Sequence, residues 1–192
     1  SIEKLKQIEK IDSRIKVLNK QNSGLAATRD FGASHSNPNT KYLFFLDDDD
    51  LIEKTYLECA YWTLQTNQDA AWAYCDVVNF YEQNYIWRKW FDSETEKTEN
   101  LLVATALIRK KDFWEVNGYE LREKAVNEDW NLWLKLLSKG KKPVRMNFEG
   151  FWYRRKKVGS ELARSKQNKE RAQSIIKQTA QTVKEKIEAI QY

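Results

Sequence analysis

The sequence predicts an α/β domain in which a mainly parallel central sheet is flanked by helices. The first observation is the apolar run Tyr42–Leu46, which has the continuous hydrophobicity of a strand covered on both faces, as in parallel sheets. The second is that helical and strand-like segments alternate along the chain. The third is size, because 192 residues, 41% of them hydrophobic, suffice for one core and not comfortably for two.

Two helices and two strands are predicted in the first quarter of the chain. Apolar residues at helical spacing predict the first helix, at Ile2, Leu5, Ile8 and Ile11. Arg14–Leu18 alternates between polar and apolar residues, which predicts a short strand. Asn22–Gly24 favours a turn, and Leu25–Ala33 then predicts a second helix before the strand at Tyr42–Leu46.

Further helices and strands are predicted downstream. Asp50 and Glu53 have the spacing of a capping box, so a helix carrying Leu57 and Tyr61 or Trp62 should start there. Strands are predicted over Ala71–Phe80 and Leu101–Ile108, and an aperiodic excursion over Tyr81–Asn100 separates them. A short helix over Lys111–Val116 should follow and end at Asn117-Gly118. The next segment, Tyr119–Val126, is predicted to be a loop. Another helix is predicted from the stripe Trp130, Trp133, Leu134 and Leu137, and Lys139-Gly140 should end it.

The last part of the chain has a different pattern. From Glu161 onward, apolar residues keep a near-heptad rhythm through polar sequence, which predicts a long amphipathic helix. We therefore divide the chain into a domain at residues 1–160 and a helical extension at residues 161–192. The apolar face of that helix could cover the domain itself, a second subunit of a homo-oligomer or an adjoining domain.

Charge and composition restrict the class of partner. A net charge of +5 would suit a protein that binds nucleic acid. However, Asp47–Asp50 interrupts the positive field and basic residues concentrate at Arg154–Lys157, so the charge distribution favours a local anion site. No apolar run approaches the roughly 18 residues that cross a bilayer. Cys59 and Cys75 lack metal or disulfide spacing, so we expect them to pack in the core of a cytoplasmic protein, with the inner face of the membrane as an alternative location. His35 is given no role.

The run of four acidic residues Asp47–Asp50, called here the acidic run, predicts a metal site. Four consecutive carboxylates repel one another, and a bound cation would relieve both this repulsion and their desolvation after a buried strand. Residues i and i+2 of an extended segment point the same way, so Asp47 and Asp49 can share one ion while Asp48 faces elsewhere and Asp50 caps the next helix. Oxygen ligands select Mg²⁺ or Mn²⁺. The alternative is a solvated acidic turn.

Two further motifs could carry chemistry. Glu128 and Asp129 fall in the first turn of a predicted helix, where the helix dipole already favours acids. A carboxylate held there among indoles could also serve as a general base toward a hydroxyl. Arg154–Lys157 follows Phe151–Tyr153 and could form a mobile cationic flap over a phosphate, or simply a solvated charge run.

Taken in order, these motifs resemble family 2 glycosyltransferases of the GT-A fold. The matching blocks are Gln21–Gly24 with Ala26, Ala27 and Arg29, then Tyr42–Asp50, Asn117–Tyr119, Asn127–Trp130 with Leu132–Leu134, and Tyr153–Arg155 with Gly159-Ser160. The resemblance covers roughly residues 1 to 165. It starts at the helix before the family's third strand, so we expect a GT-A domain truncated at its N-terminus.

The resemblance implies metal-dependent, inverting transfer of a sugar from a nucleotide-diphosphate sugar to an acceptor hydroxyl, in polysaccharide or glycoconjugate synthesis. The acceptor would be a carbohydrate or a lipid-linked molecule. Asp129 matches the family's catalytic base, and Asp47 and Asp49 match its pair of metal-site aspartates, with Mn²⁺ or Mg²⁺ as the ion. The implied donor-binding residues are Asn22, Gly24, Arg29, Asp48, Arg154 and Arg155, and the implied acceptor-binding residues are Glu128 and Trp130.

Several readings of the missing N-terminal strands stay open. The chain could be part of a longer enzyme, which we favour, it could be completed by another polypeptide, or it could be a catalytically incomplete domain that binds carbohydrate. A fourth reading, from a different class, is a basic nucleic-acid-binding module, which only the aromatic residues and the net charge support.

Overall fold

The computed structural model describes residues 2–88, 90–119, 127–156 and residue 181. Its helices are α1 (Ile2–Ile11), α2 (Leu25–Ser34), α3 (Tyr56–Thr66), α4 (Ser93–Glu96), α5 (Lys110–Glu115) and α6 (Glu128–Leu137). Its strands are β1 (Tyr42–Phe44), β2 (Leu51–Ile52), β3 (Ala70–Tyr81), β4 (Tyr85–Trp87), β5 (Leu107–Arg109) and β6 (Lys142–Arg155). Within these ranges, no helix combines the length and the apolar character needed to span a membrane.

The strands form one mixed sheet. Its order is β1-β5-β3-β6-β2, and β4 also pairs with β3. Among the described strands, β3 and β6 are the parallel pair, whereas β5 runs antiparallel to both β1 and β3. The prediction of a mainly parallel sheet is therefore wrong, because β5 enters between β1 and β3 in the opposite direction. A buried apolar strand has the same hydrophobic pattern in either direction.

Helices cover both faces of this sheet. On β3, Trp72 and Tyr74 face one core cluster, while Ala73 and Cys75 face the other, as the two-residue period of a strand requires. The first cluster contains residues from α2, α5 and α6, and the second contains the buried face of α3. The two long strands β3 and β6 thus form the centre of a three-layer α/β domain.

Three local predictions need correction. Arg14–Leu18 is not a strand, because no described strand pairs with this mostly exposed segment. The helix predicted from Asp50 instead begins at Tyr56, after the short strand β2, and Asp50 does not cap it. The buried face of α3 consists of Tyr56, Ala60 and Leu64, whereas Leu57, Tyr61 and Trp62, the residues named for the predicted helix, are exposed.

Other predictions are confirmed within a residue or two. The helices at α1, α2, α5 and α6 and the strand at β3 lie where they were expected, and all four residues of the α6 stripe are buried. The strand predicted over Leu101–Ile108 is present only as the short strand β5. Strand β6 was not predicted. The loop predicted over Tyr119–Val126 and the C-terminal helix fall largely outside the described residues, although Gln181 is helical.

Candidate functional site

The acidic run follows β1 and lies at the open end of that strand. Asp47 and Asp49 have side chains that are 41% and 37% exposed. Both, together with Asp48, line a cleft of about 740 Å³ between α2, β1 and the end of β6. The prediction that Asp48 faces elsewhere is therefore wrong, because Asp48 and Asp49 lie in a turn instead of an extended segment and all three carboxylates border one space.

Asp50 connects the acidic run to β6. Its carboxylate accepts a hydrogen bond from the Arg154 backbone N–H at 2.8 Å, and the Arg154 side chain donates from Nε to the Asp49 carbonyl oxygen, also at 2.8 Å. Burial raises the pKa of Asp50 to about 7, and the neighbouring Asp49 and Asp47 charges add to that effect. The end of β6 thereby fixes the position of the acidic run.

Arg29 on α2 links the acidic run to the start of α6. Its Nη2 atom lies 2.9 Å from Asp47 Oδ1, and its Nη1 atom lies 2.7 Å from Glu128 Oε1. The guanidinium also packs over the Tyr119 ring, with 5.4 Å between its carbon and the ring centroid. Burial alone would lower the pKa of this arginine, but the electrostatic influence of Tyr119 and of the two carboxylates outweighs it, so the pKa lies above its ordinary value.

Asp129 lies beside Glu128 in the first turn of α6. Its Oδ1 atom accepts the Trp130 backbone N–H at 2.8 Å, and its Oδ2 atom lies 3.4 Å from Asn100 Nδ2. Burial raises the pKa of Asp129 to about 7, and the Glu128 charge contributes. A carboxylate with such a pKa is poised to exchange a proton near neutral pH, as a general base must.

A second cavity, of about 340 Å³, opens next to the first. Asp129 and Glu128 line this cavity, and Arg29 and Asp47 line both cavities. The structure therefore brings the predicted metal residues and the predicted base to neighbouring spaces that share one ion pair.

The two arginines at the end of β6 point in different directions. Arg154 lines the larger cavity with the acidic run, and Arg155 lines the smaller cavity with Asp129. Adjacent residues of a strand alternate between its two sides, which explains the split. The sequence had assigned both arginines to the same donor, and the structure separates them.

Three other predicted residues lie outside both cavities. The Asn22 side chain accepts the Gly24 N–H at 3.1 Å, and Gly24 has a φ of 93°, so this pair shapes the entry into α2. Trp130 is 9% exposed, and its Nε1 atom donates to the Glu96 carbonyl oxygen at 2.6 Å. These residues support the fold around the cavities.

Some residues that line the smaller cavity were not predicted from the sequence. Asn100 contacts Asp129, and Tyr85 on β4 and Tyr153 on β6 line the smaller cavity. Tyr85 and Asn100 belong to the aperiodic excursion over Tyr81–Asn100, whose aromatic content was the available signal for contact with a substrate. Its lack of periodicity gave no way to choose individual residues.

The carboxylates of the larger cavity fit a metal cation only in combination with a bound ligand. Among the described residues, no group of three or more acidic, histidine or cysteine side chains is arranged to hold a metal ion. Asp47 and Asp49 instead offer two carboxylates beside a large cleft, and they pair with Arg29 and Lys156, the latter at 2.5 Å. Mg²⁺ in phosphate-transfer sites is held in this manner, by one or two carboxylates and the substrate phosphates.

Comparison with known sequences gives a family match. Residues 1–132 match the model of glycosyl transferase family 2. A protein named glycosyltransferase GlyA, from Streptococcus pneumoniae serotype 4, is 24% identical over 171 residues, which cover 79% of this chain and 24% of the relative.

Comparison with solved structures supports the same fold. The structure of residues 1–349 of TarS from S. aureus, in complex with UDP-GlcNAc, superposes with a TM-score of 0.65 at 14% identity and covers 84% of this chain and 48% of that one. A longer TarS structure from S. aureus gives a TM-score of 0.60 at 14% identity, covering 80% of this chain and 29% of that one. The chain thus spans less than half the length of these relatives.

Proposed function

Because the chain belongs to glycosyl transferase family 2, with residues 1–132 matched and a GT-A-like α/β fold, we propose that it transfers a sugar from a nucleotide-diphosphate sugar to an acceptor hydroxyl. The observation that carries the proposal is the ion-pair bridge through Arg29. It holds Asp47, on the side of the larger cavity, next to the Glu128–Asp129 segment of the smaller cavity. A donor diphosphate and an acceptor hydroxyl could then meet at the border between the two spaces.

The larger cavity would hold the donor. Its volume of about 740 Å³ is in the range of small-molecule sites, and the acidic run and the Arg154 and Lys156 side chains lie at one end of it. Asp47 and Asp49 would hold Mn²⁺ or Mg²⁺ against the donor phosphates, where the ion would offset the charge that grows on the leaving diphosphate. Arg154 would add a fixed positive charge near the same oxygens.

The smaller cavity would hold the reacting hydroxyl. Asp129, whose Trp130 and Asn100 contacts fix its orientation, would accept the hydroxyl proton as the oxygen attacks the anomeric carbon. A single displacement by that oxygen from the face opposite the diphosphate inverts the configuration of the sugar. Burial, with the Glu128 charge beside it, would keep the pKa of Asp129 high enough for this proton transfer at neutral pH.

Release of nucleoside diphosphate tests the proposal. The protein is incubated with a panel of nucleotide-diphosphate sugars, beginning with the UDP-GlcNAc of the TarS complex, in the presence of Mn²⁺ or of a chelator. We expect one donor to bind and to be hydrolysed slowly without an acceptor, and only when the metal is present. Absence of both nucleotide binding and hydrolysis across the whole panel would contradict the proposed activity.

A further inference from the structure

We propose that the smaller cavity recognises an acceptor that carries an anionic group, and that Arg155 binds this group. The inference rests on the proposed function, because it names the class of molecule that would offer its hydroxyl to Asp129. It gives Arg155 a role different from that of its neighbour Arg154, which lies with the acidic run in the larger cavity.

The Arg155 guanidinium is held rigidly by neutral groups. Its Nε atom donates to Asn79 Oδ1 at 2.6 Å, and Asn79 itself is 1% exposed. Its Nη2 atom donates to the Tyr85 hydroxyl at 2.5 Å, and the guanidinium carbon lies 4.8 Å from the centroid of the Tyr153 ring. The buried Asn79 on β3, together with Tyr85 on β4 and Tyr153 on β6, therefore fixes the cation before any ligand arrives.

The charge of Arg155 is not compensated within the described part of the chain. The hydrogen-bond and ring partners of its side chain are Asn79, Tyr85 and Tyr153, all uncharged, and no carboxylate forms an ion pair with it there. A partly buried cation surrounded by neutral dipoles keeps its full attraction for an anion. Because Arg155 lines the smaller cavity, an anion bound inside that cavity could reach the guanidinium.

The carboxylates of the same cavity, in contrast, already have donors. Asp47 and Glu128 both pair with Arg29, and Asp129 accepts the Trp130 N–H. Asp50, the fourth, accepts the Arg154 N–H. Among the described residues that line this cavity, the cations are Arg29, which already pairs with two carboxylates, and Arg155, so an incoming anion is attracted to the Arg155 side.

The shape of the cavity agrees with a sugar or polyol that bears the charge. Tyr85, Trp87 and Tyr153 line it beside Arg155, and aromatic faces of this kind pack against the apolar faces of sugars. Carboxylate and phosphate are the two anionic groups that an arginine fork matches in geometry. A uronic acid and a polyol phosphate are two sources of such an anionic group.

Matched pairs of small ligands test the proposal by calorimetry. Methyl glucuronide is compared with methyl glucoside, and glycerol 3-phosphate with glycerol, on the wild type, on Arg155→Gln and on Arg14→Gln. Arg14 is exposed and pairs locally with Asp12, so its replacement changes the net charge equally but leaves the cavity intact. The two pairs tell which anionic source the cavity accepts.

In the wild type and in Arg14→Gln, we expect at least one charged ligand to bind about tenfold more tightly than its neutral partner, the scale of one charge-assisted hydrogen bond. This preference should vanish in Arg155→Gln. Equal affinity for charged and neutral ligands in the wild type, or a preference that survives in Arg155→Gln, would refute the assignment.

Two controls separate this inference from the proposed function. If saturating nucleoside diphosphate with Mn²⁺ displaces the charged ligand, Arg155 belongs to the donor and the inference is wrong. Donor hydrolysis by the wild type without acceptor reports independently on catalysis. Failure of that hydrolysis counts against the transferase proposal, whereas absence of the anion preference in the wild type counts only against the role of Arg155.

Discussion

The Arg29 guanidinium lies 2.9 Å from the Asp47 carboxylate, and both residues line both cavities of the site. Asp47 is therefore already neutralised by a protein cation where the proposed metal would bind. A divalent ion that takes Asp47 would compete with this ion pair, and Arg29 would then be left with Glu128. Donor binding at one cavity would in this way change the charge next to the base in the other.

The ion-pair bridge predicts a large loss of stability in Arg29→Gln. The Arg29 side chain is 8% exposed, and its removal leaves Glu128, 14% exposed, without its cation. Loss of one partner from a buried pair costs several kcal/mol, so the free energy of unfolding should fall by about 3 kcal/mol in urea denaturation.

A double-mutant cycle checks the cause of that loss. Adding Glu128→Gln to Arg29→Gln removes the orphaned charge and should recover about 1 kcal/mol. Arg14→Gln, at an exposed local pair, should leave the urea midpoint unchanged. Strict additivity of Arg29→Gln and Glu128→Gln would show that the two side chains do not interact.

A second prediction concerns the metal. Asp49→Asn removes one of the two carboxylates proposed to hold the metal in the larger cavity, so Mn²⁺ should no longer increase the affinity for nucleoside diphosphate, as measured by calorimetry. Asp69→Asn is the matched control, because Asp69 is exposed, pairs with Lys142 and lines neither cavity. An equal effect of Mn²⁺ in the wild type and in Asp49→Asn would remove Asp49 from the metal site.

A third prediction concerns the base. Asp129→Asn cannot accept a proton but keeps the size of the side chain, so turnover should fall by about 10² to 10⁴-fold. Affinity for the donor nucleotide should hardly change, because Asp129 lines the smaller cavity and not the larger one. Steady-state kinetics and nucleotide titration of the same preparation separate the two effects. Unchanged turnover would exclude Asp129 as the base.

A fourth prediction is a pH profile. Burial and the Glu128 charge raise the pKa of Asp129 to about 7, and a general base must be deprotonated, so kcat should rise with pH through that region. Glu128→Gln removes the neighbouring negative charge and lowers this pKa, so the rise should move to lower pH. Glu58→Gln, an exposed position on α3, should leave the profile in place. A profile that is the same in all three proteins would show that another group controls it.

The fold could be predicted only as far as local pattern determines structure. The α6 stripe was recognised because its helical period is regular, and the twelve-residue strand β3 because it is a long, mostly apolar run. The direction of β5 was missed, since strand direction depends on tertiary pairing that no local pattern records. Strand β6 was missed for another reason, because eleven of its fourteen residues are only partly buried or exposed, with no clear alternation.

Prediction of the candidate site from the sequence was limited in the same way. The sequence pointed to Asp47, Asp49 and Asp129 through charge, position and family resemblance, and the structure brings their segments together through Arg29. The role of Arg29 as a bridge could not be predicted, because its two partners lie 18 and 99 residues away. The separation of Arg154 from Arg155 likewise depends on how β6 pairs with β3, which the sequence did not indicate.

The turn after α5 gives a last prediction, which tests packing next to the site. Gly118 has a φ of 61°, and a Cβ atom there would lie 2.5 Å from Asp30 Oδ1 and 3.0 Å from the Phe113 ring. Asp30 Oδ1 also accepts the Tyr119 N–H at 2.9 Å, so this oxygen cannot move without breaking that bond. Gly118→Ala should therefore lower the free energy of unfolding by roughly 2 to 4 kcal/mol, combining backbone strain with overpacking.

Gly140→Ala is the matched control for that experiment. Gly140 has a similar φ of 69°, but nothing lies within 4 Å of its added Cβ atom. Gly140→Ala should lower the free energy of unfolding only by the roughly 1 to 2 kcal/mol of backbone strain. The difference between the two variants in urea denaturation measures the crowding at Asp30 and Phe113, and equal losses would show that these neighbours move aside freely.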